Sequence, residues 1–117
     1  MTQSLISDHF PYLPIHLEVR QTVYDFEALL DTGFDGGVII PSELASNIGD
    51  PDWTTTITLA DGSQIEAPTY IGILKLGDTE IRPVLANVLG NEPFIGVAII
   101  RHFTVILDHG LRVILEQ

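Results

Sequence analysis

A chain of 117 residues with 45% apolar content spread along its length is long enough for one compact core and too short for two ordinary ones, and it is too apolar to be disordered. Sixteen acidic residues against five basic ones give a formal charge of −11, so phosphate backbones are repelled and nucleic acid is excluded as a partner. The apolar runs fall far short of the roughly 20 residues of a membrane span, residues 1–9 lack the basic start and apolar core of a secretory signal, and there are no cysteines for disulfides or thiolate chemistry. The expectation is one domain over residues 1–117, working in the cytoplasm without membrane contact.

Period-2 alternation and β-branched residues predict a mostly β domain. Residues 12–20 place Ile15, Leu17 and Val19 on one face and His16, Glu18 and Arg20 on the other, the pattern of a half-buried strand. A short turn near Gln21 and Thr22 leads to a strand over 23–30 that ends in Leu29 and Leu30. Asp31, Thr32 and Gly33 follow at once. Residues 38–40 form a short buried strand, and Pro41 suits the first turn of a helix over 41–48 that Gly49 stops. A Thr-rich strand over 54–60 meets Asp61-Gly62, the commonest two-residue hairpin signal, and 63–67 returns from it.

Residues 70–76 and 79–89 form the next two strands, joined at Gly77-Asp78, with Pro83 marking an edge or a bulge. Asn91-Glu92-Pro93 breaks the sheet. Phe94 and Ile95 lead through Gly96 into a short helical turn over 97–101. A strand over 103–107 then turns at His109-Gly110 into a last strand over 111–115. Trp53 and Tyr70 are assigned to packing, as isolated aromatics in a small β domain usually are.

The chemistry lies in Asp31-Thr32-Gly33. An acid on a tight turn just after a buried strand is held rigidly and is partly dry, as a catalytic carboxylate needs to be. Thr32 can hydrogen-bond across a pair of such turns or back to its own, and Gly33 lets backbone approach a neighbouring carboxylate closely. His9, His16, His102 and His109 fall at no metal-ligand spacing, so neither a metal nor any other cofactor is expected.

The pattern resembles the retropepsin-like aspartic proteases, the retroviral proteases and their single-domain cellular relatives. Leu29 and Leu30 match the two apolar residues before the family's Asp-Thr-Gly, residues 38–40 match the strand after it, the hairpin at Asp61-Gly62 stands where the flap belongs, and Phe94-Ile95-Gly96 matches the late apolar-apolar-Gly step. Two motifs at about the right separation, with a β pattern between them, are more specific than either alone. The resemblance implies an all-β, closed barrel-like domain with short helices at about 41–48 and 97–101, forming half of a two-fold symmetric dimer.

It further implies an endopeptidase in which Asp31 of each copy shares a proton and holds the attacking water, since the chain has a single Asp-Thr-Gly and no Asp-Ser-Gly. Thr32 and Gly33 would shape this dyad, Phe34, Asp35 and Gly36 would contact the bound peptide, and Ala60, Asp61, Gly62 and Ser63 would cover it. The partners implied are a second copy of the chain and a peptide or protein substrate.

Departures from the family pattern qualify the reading. Phe34 replaces a small residue and is expected to narrow the floor of the groove. Val97 stands where retroviral members carry a basic residue that pairs with an acid like Asp35, so only Arg101 or Arg112 could supply that tie. The tail beyond Phe103 adds a strand, which predicts an altered terminal sheet. The alternative consistent with these departures is a catalytically silent dimeric module that binds peptides or proteins.

Overall fold

In the computed structural model, which describes residues 4–117 and of Ser4 the backbone alone, a first strand that the sequence pattern does not announce, β1 (Ser4–Ser7), precedes β2 (Tyr12–Val19). Alternation does its work in β2: Leu13, Ile15, Leu17 and Val19 are buried while Pro14 and His16 are exposed. A two-residue turn in which Arg20 and Gln21 both have positive φ joins β2 to β3 (Thr22–Leu30). There follow β4 (Val38–Ile40), α1 (Ser42–Ala45), β5 (Trp53–Thr58), β6 (Gln64–Leu76), β7 (Thr79–Val88), β8 (Phe94–Ile95), α2 (Val97–Ile100), β9 (Thr104–Asp108) and β10 (Arg112–Glu116).

Strands run in the order β2-β3-β8-β4-β7-β6-β5, and β2 pairs again with β6 at His16–Lys75, Leu17–Leu74 and Glu18–Ile73. That second pairing closes six strands into a barrel and leaves β5 as an outer strand attached to β6 alone. The barrel is filled by the inner face of β2 together with Ala28, Val38, Ile40, Tyr70, Leu74, Val84, Ala86, Ile95 and Ile99. A separate three-stranded sheet, β1-β10-β9, caps it and sends Val113 and Leu115 into the same core. Among the described residues no helix is long and apolar enough to cross a membrane.

The structure corrects several sequence expectations. The strands expected over 63–67 and 70–76 are one strand, β6, beginning at Gln64, because Pro68 lies opposite Thr54, just before the β7 ladder begins at Thr69–Asn87; there its missing N–H interrupts little. The helix expected over 41–48 is a single α turn at Ser42–Ala45 continued by i to i+3 bonds, Asn47 N–H to Leu44 O and Ile48 N–H to Ala45 O, each 3.1 Å or less.

The β5–β6 hairpin is not closed by a two-residue turn. Leu59 N–H donates to Ser63 O and Gly62 N–H to Leu59 O, leaving a three-residue loop in which Gly62 alone has positive φ, at 88°. Trp53 is 45% exposed rather than packed, whereas Tyr70 is buried and its hydroxyl donates to Gly49 O. Pro83 sits where the β6–β7 register slips between Gly72–Val84 and Leu74–Ile81, on the half of β7 that has no second partner strand.

Candidate active site

The apolar pair Leu29-Leu30 ends β3 inside the sheet, where parallel pairing to Phe94 and Ile95 of β8 covers it. β8 in turn pairs antiparallel with β4, through Val38–Ile95 and Ile39–Phe94. A two-residue strand is thus threaded between β3 and β4, and the loop that joins those two strands, residues 31–37, must arch over its end. Asp31 is the first residue of that arch. Its N–H donates to Ile95 O at 3.0 Å, and its Oδ1 accepts the Gly33 N–H at 2.9 Å. The Ile95 carbonyl thus anchors the Asp31 backbone and the Gly33 N–H orients its carboxylate, while Asp31 stays half-buried and Thr32, Gly33 and Asp35 are exposed.

The second motif holds this arch down. Gly96 N–H donates to Gly37 O at 2.8 Å, Val97 N–H to Phe34 O at 2.8 Å and Ala98 N–H to Gly36 O at 3.1 Å. This close approach needs glycine at 96, where a Cβ would lie 2.5 Å from the carbonyl oxygens of both Phe34 and Gly36. The Phe34 ring meets Phe94 edge-on at 5.5 Å between centroids and folds back over Gly36. Phe34 is thus part of the packing that ties the two motifs together as well as part of the cleft wall. For Asp35, neither suggested arginine supplies a tie: Arg112 pairs with Asp108 at 2.6 Å, and no ion pair joins Asp35 to Arg101 or to any other cation among the described residues.

Beside the arch lies a cleft of about 330 Å³, lined by residues 33–37, by Thr55, Thr56, Ile57 and Thr58 of β5, and by Leu85 and Asn87 of β7. Four consecutive residues of β5 reach it because β5 pairs only with β6, so its other edge faces the opening. The structure brings Gly33, Phe34, Asp35 and Gly36 together in this wall. Ala60, Asp61, Gly62 and Ser63 form the hairpin tip beyond it, where Asp61 Oδ1 accepts both the Ser63 N–H at 2.9 Å and its hydroxyl at 2.6 Å. Those bonds, the hydroxyl's foremost, hold the Asp61 carboxyl below its ordinary range.

Sequence reasoning missed the β5 edge, Leu85 and Asn87. The run Thr54-Thr55-Thr56 signalled a strand but not which of its sides would be open, and Asn87 belongs to a buried polar chain that forms only on folding. Asn87 Nδ2 and Thr55 Oγ1 each lie 2.8 Å from Thr69 Oγ1, which is 3.0 Å from Ala67 O. This chain joins β5, β6 and β7 under the cleft.

A second knot secures the approach to β5. Asp52 accepts the Ile71 N–H at 2.9 Å and an Arg20 N–H at 3.2 Å, and the Arg20 guanidinium lies 5.3 Å from the centre of the Tyr70 ring. The Ile71 N–H first, and Arg20 after it, hold the Asp52 carboxyl below its usual range. A surface hollow of about 480 Å³ beside Glu18, Arg20, Ile71 and Pro83 lies on the barrel wall and shares no lining residue with the cleft beside the arch.

Neither a family sequence model nor a curated protein matches the chain. Among solved structures, the crystal structure of a retropepsin-like aspartic protease from Rickettsia conorii superposes with a TM-score of 0.68 at 19% identity, covering 99% of this chain and 92% of that one. The solution structure of simian foamy virus (mac) protease matches with a TM-score of 0.46 at 17% identity, over 72% of this chain and 85% of that one. The first likeness extends over nearly the whole of both chains. The chain has a retropepsin-like fold, the one its two motifs imply.

Proposed function

We propose that the chain, folded as one domain over residues 1–117, is an aspartic endopeptidase that acts as a homodimer, with Asp31 of each copy forming the catalytic dyad. The observation that carries this reading is the placement of the single Asp-Thr-Gly: Asp31, whose backbone N–H is anchored on the Ile95 carbonyl and whose carboxylate accepts the Gly33 N–H, stands at the head of an arch braced by Gly96, in a retropepsin-like fold. One such carboxylate cannot act as base and acid at once, and two placed close together share a single proton. A two-fold axis through the arch supplies the second. The exposure of Thr32 and Gly33 supports this, since these residues would meet their counterparts in the other copy.

In this reaction the ionised carboxylate takes a proton from the water held between the pair, and the water oxygen bonds to the scissile carbonyl carbon. The protonated carboxylate gives its proton to the carbonyl oxygen. Collapse of the resulting gem-diol breaks the C–N bond, a proton passes to the leaving nitrogen, and a carboxylic acid and an amine result. The extended substrate would lie along the open edge of β5 by strand addition, against Phe34, Asp35 and Gly36, with Ala60 to Ser63 closing over it. A cytoplasmic site of action belongs to this reading and is tested by cell fractionation.

The decisive assay is cleavage of a mixed-sequence peptide library between about pH 4 and 7, with wild type compared to Asp31→Asn and the oligomeric state measured alongside by sedimentation. Cleavage by a dimer that disappears in the variant supports the reading. A dimer that binds peptides but cuts none would make the chain a silent peptide-binding module.

A further inference from the structure

Two hydroxyls on the β5 side of the cleft, those of Thr55 and Thr56, turn acceptors toward a ligand because their protons are already committed within the chain. Thr69 has one hydroxyl proton, and a carbonyl can only accept, so that proton goes to Ala67 O. Thr69 Oγ1 must then accept from both of its other neighbours. This fixes the orientation of the Asn87 amide and obliges Thr55 to donate toward Thr69. Thr55, which lines the cleft, has no proton left to offer a ligand and presents lone pairs instead. Thr56 likewise gives its proton to Glu66.

Asp35 adds an exposed carboxylate that forms no ion pair with any cation among the described residues. The other basic residues that form ion pairs do so elsewhere: Arg20 with Asp52, Lys75 and Arg82 with Glu80, and Arg112 with Asp108. Among the described residues no lysine, arginine or histidine lines the cleft. Its apolar walls, Phe34, Ile57 and Leu85, suit the methylene stem of a long side chain whose charged head reaches Asp35. The overall charge of −11 draws the same kind of ligand from a distance.

We infer that this cleft is a subsite for a basic side chain, so that the peptides the protein takes carry arginine or lysine at one fixed position, read by Asp35. The inference rests on the proposed peptide-binding role of the cleft and not on turnover. It is tested on the full chain carrying Asp31→Asn, which leaves bound peptides intact, using two mixed-sequence peptide pools that differ only in arginine or its neutral isostere citrulline at the fixed position.

The arginine pool is expected to bind about tenfold more tightly at low salt, with the preference shrinking as ionic strength rises. Adding Asp35→Asn is expected to bring the two pools within about twofold of each other, while adding Asp78→Asn, at the remote β6–β7 turn, keeps the preference. Equal binding of the two pools, or a preference that survives Asp35→Asn, overturns the inference. Because the readout is binding, a protein that binds arginine peptides and cleaves nothing would uphold the subsite while refuting the protease reading.

Discussion

At the scale of single residues, Asp31 is held by groups that a carboxamide can also satisfy, since an asparagine oxygen still accepts the Gly33 N–H. Asp31→Asn is therefore expected to keep the fold, with a melting temperature within about 2 °C of wild type, while peptide cleavage falls by about 10²- to 10⁴-fold. Gly96 is the opposite case. Its φ of −110° suits any residue, but a Cβ has no room between the carbonyl oxygens of Phe34 and Gly36. Gly96→Ala should cost about 2–3 kcal/mol in urea unfolding and displace the arch that carries Asp31. Sequence showed both residues through their neighbours, Leu29-Leu30 before one and Phe94-Ile95 before the other. It could not show that Phe34 bridges them, because the ring that fills the space beside Gly36 comes to rest on Phe94, 60 residues away in the chain.

At the scale of elements, β5 owes its position to groups that pattern reading does not connect. Thr69→Val keeps the volume of the side chain but leaves the Thr55 hydroxyl and the Asn87 amide without their acceptor, so about 2 kcal/mol of stability should be lost. Faster hydrogen exchange in β5 would show where.

Asp52 ties the approach to β5 through Ile71 and Arg20, and its lowered folded pKa sets the pH dependence. A carboxyl depressed in the folded state contributes stability above its unfolded pKa and loses it as pH falls through the folded value. The melting-temperature gap between wild type and Asp52→Asn is accordingly expected to be full at neutral pH and to close as pH drops below about 4. Strands with alternation, such as β2, were legible because burial alone dictates their pattern. β1 was not, since Ser4–Ser7 is too short to alternate convincingly and is a strand by virtue of pairing with β10. The Arg20-Gln21 turn was also indistinct, as it takes positive φ without the Asn-Gly or Asp-Gly that usually marks such turns.

At the scale of the whole molecule, the all-β class was readable from local pattern, and the retropepsin-like fold from two motifs at the right separation. Barrel closure followed from that resemblance and not from local pattern, because the pairing of β2 with β6 joins residues more than fifty positions apart and leaves no local signature. The charge of −11 is a property of the molecule as a whole. The proposed homodimer would bring together two such charges, so it should tighten as salt screens their repulsion, a trend that sedimentation from low to high ionic strength would reveal.

The central claim is that one active site takes one Asp31 from each of two chains. It is tested most directly by mixing wild type with Asp31→Asn at constant total chain concentration, allowing subunits to exchange, and measuring peptide cleavage. A shared dyad predicts activity that follows the square of the wild-type fraction, about one quarter at an equal mixture. Activity that stays proportional to the wild-type fraction, about one half at the same point, would mean that each chain works alone and would contradict the account.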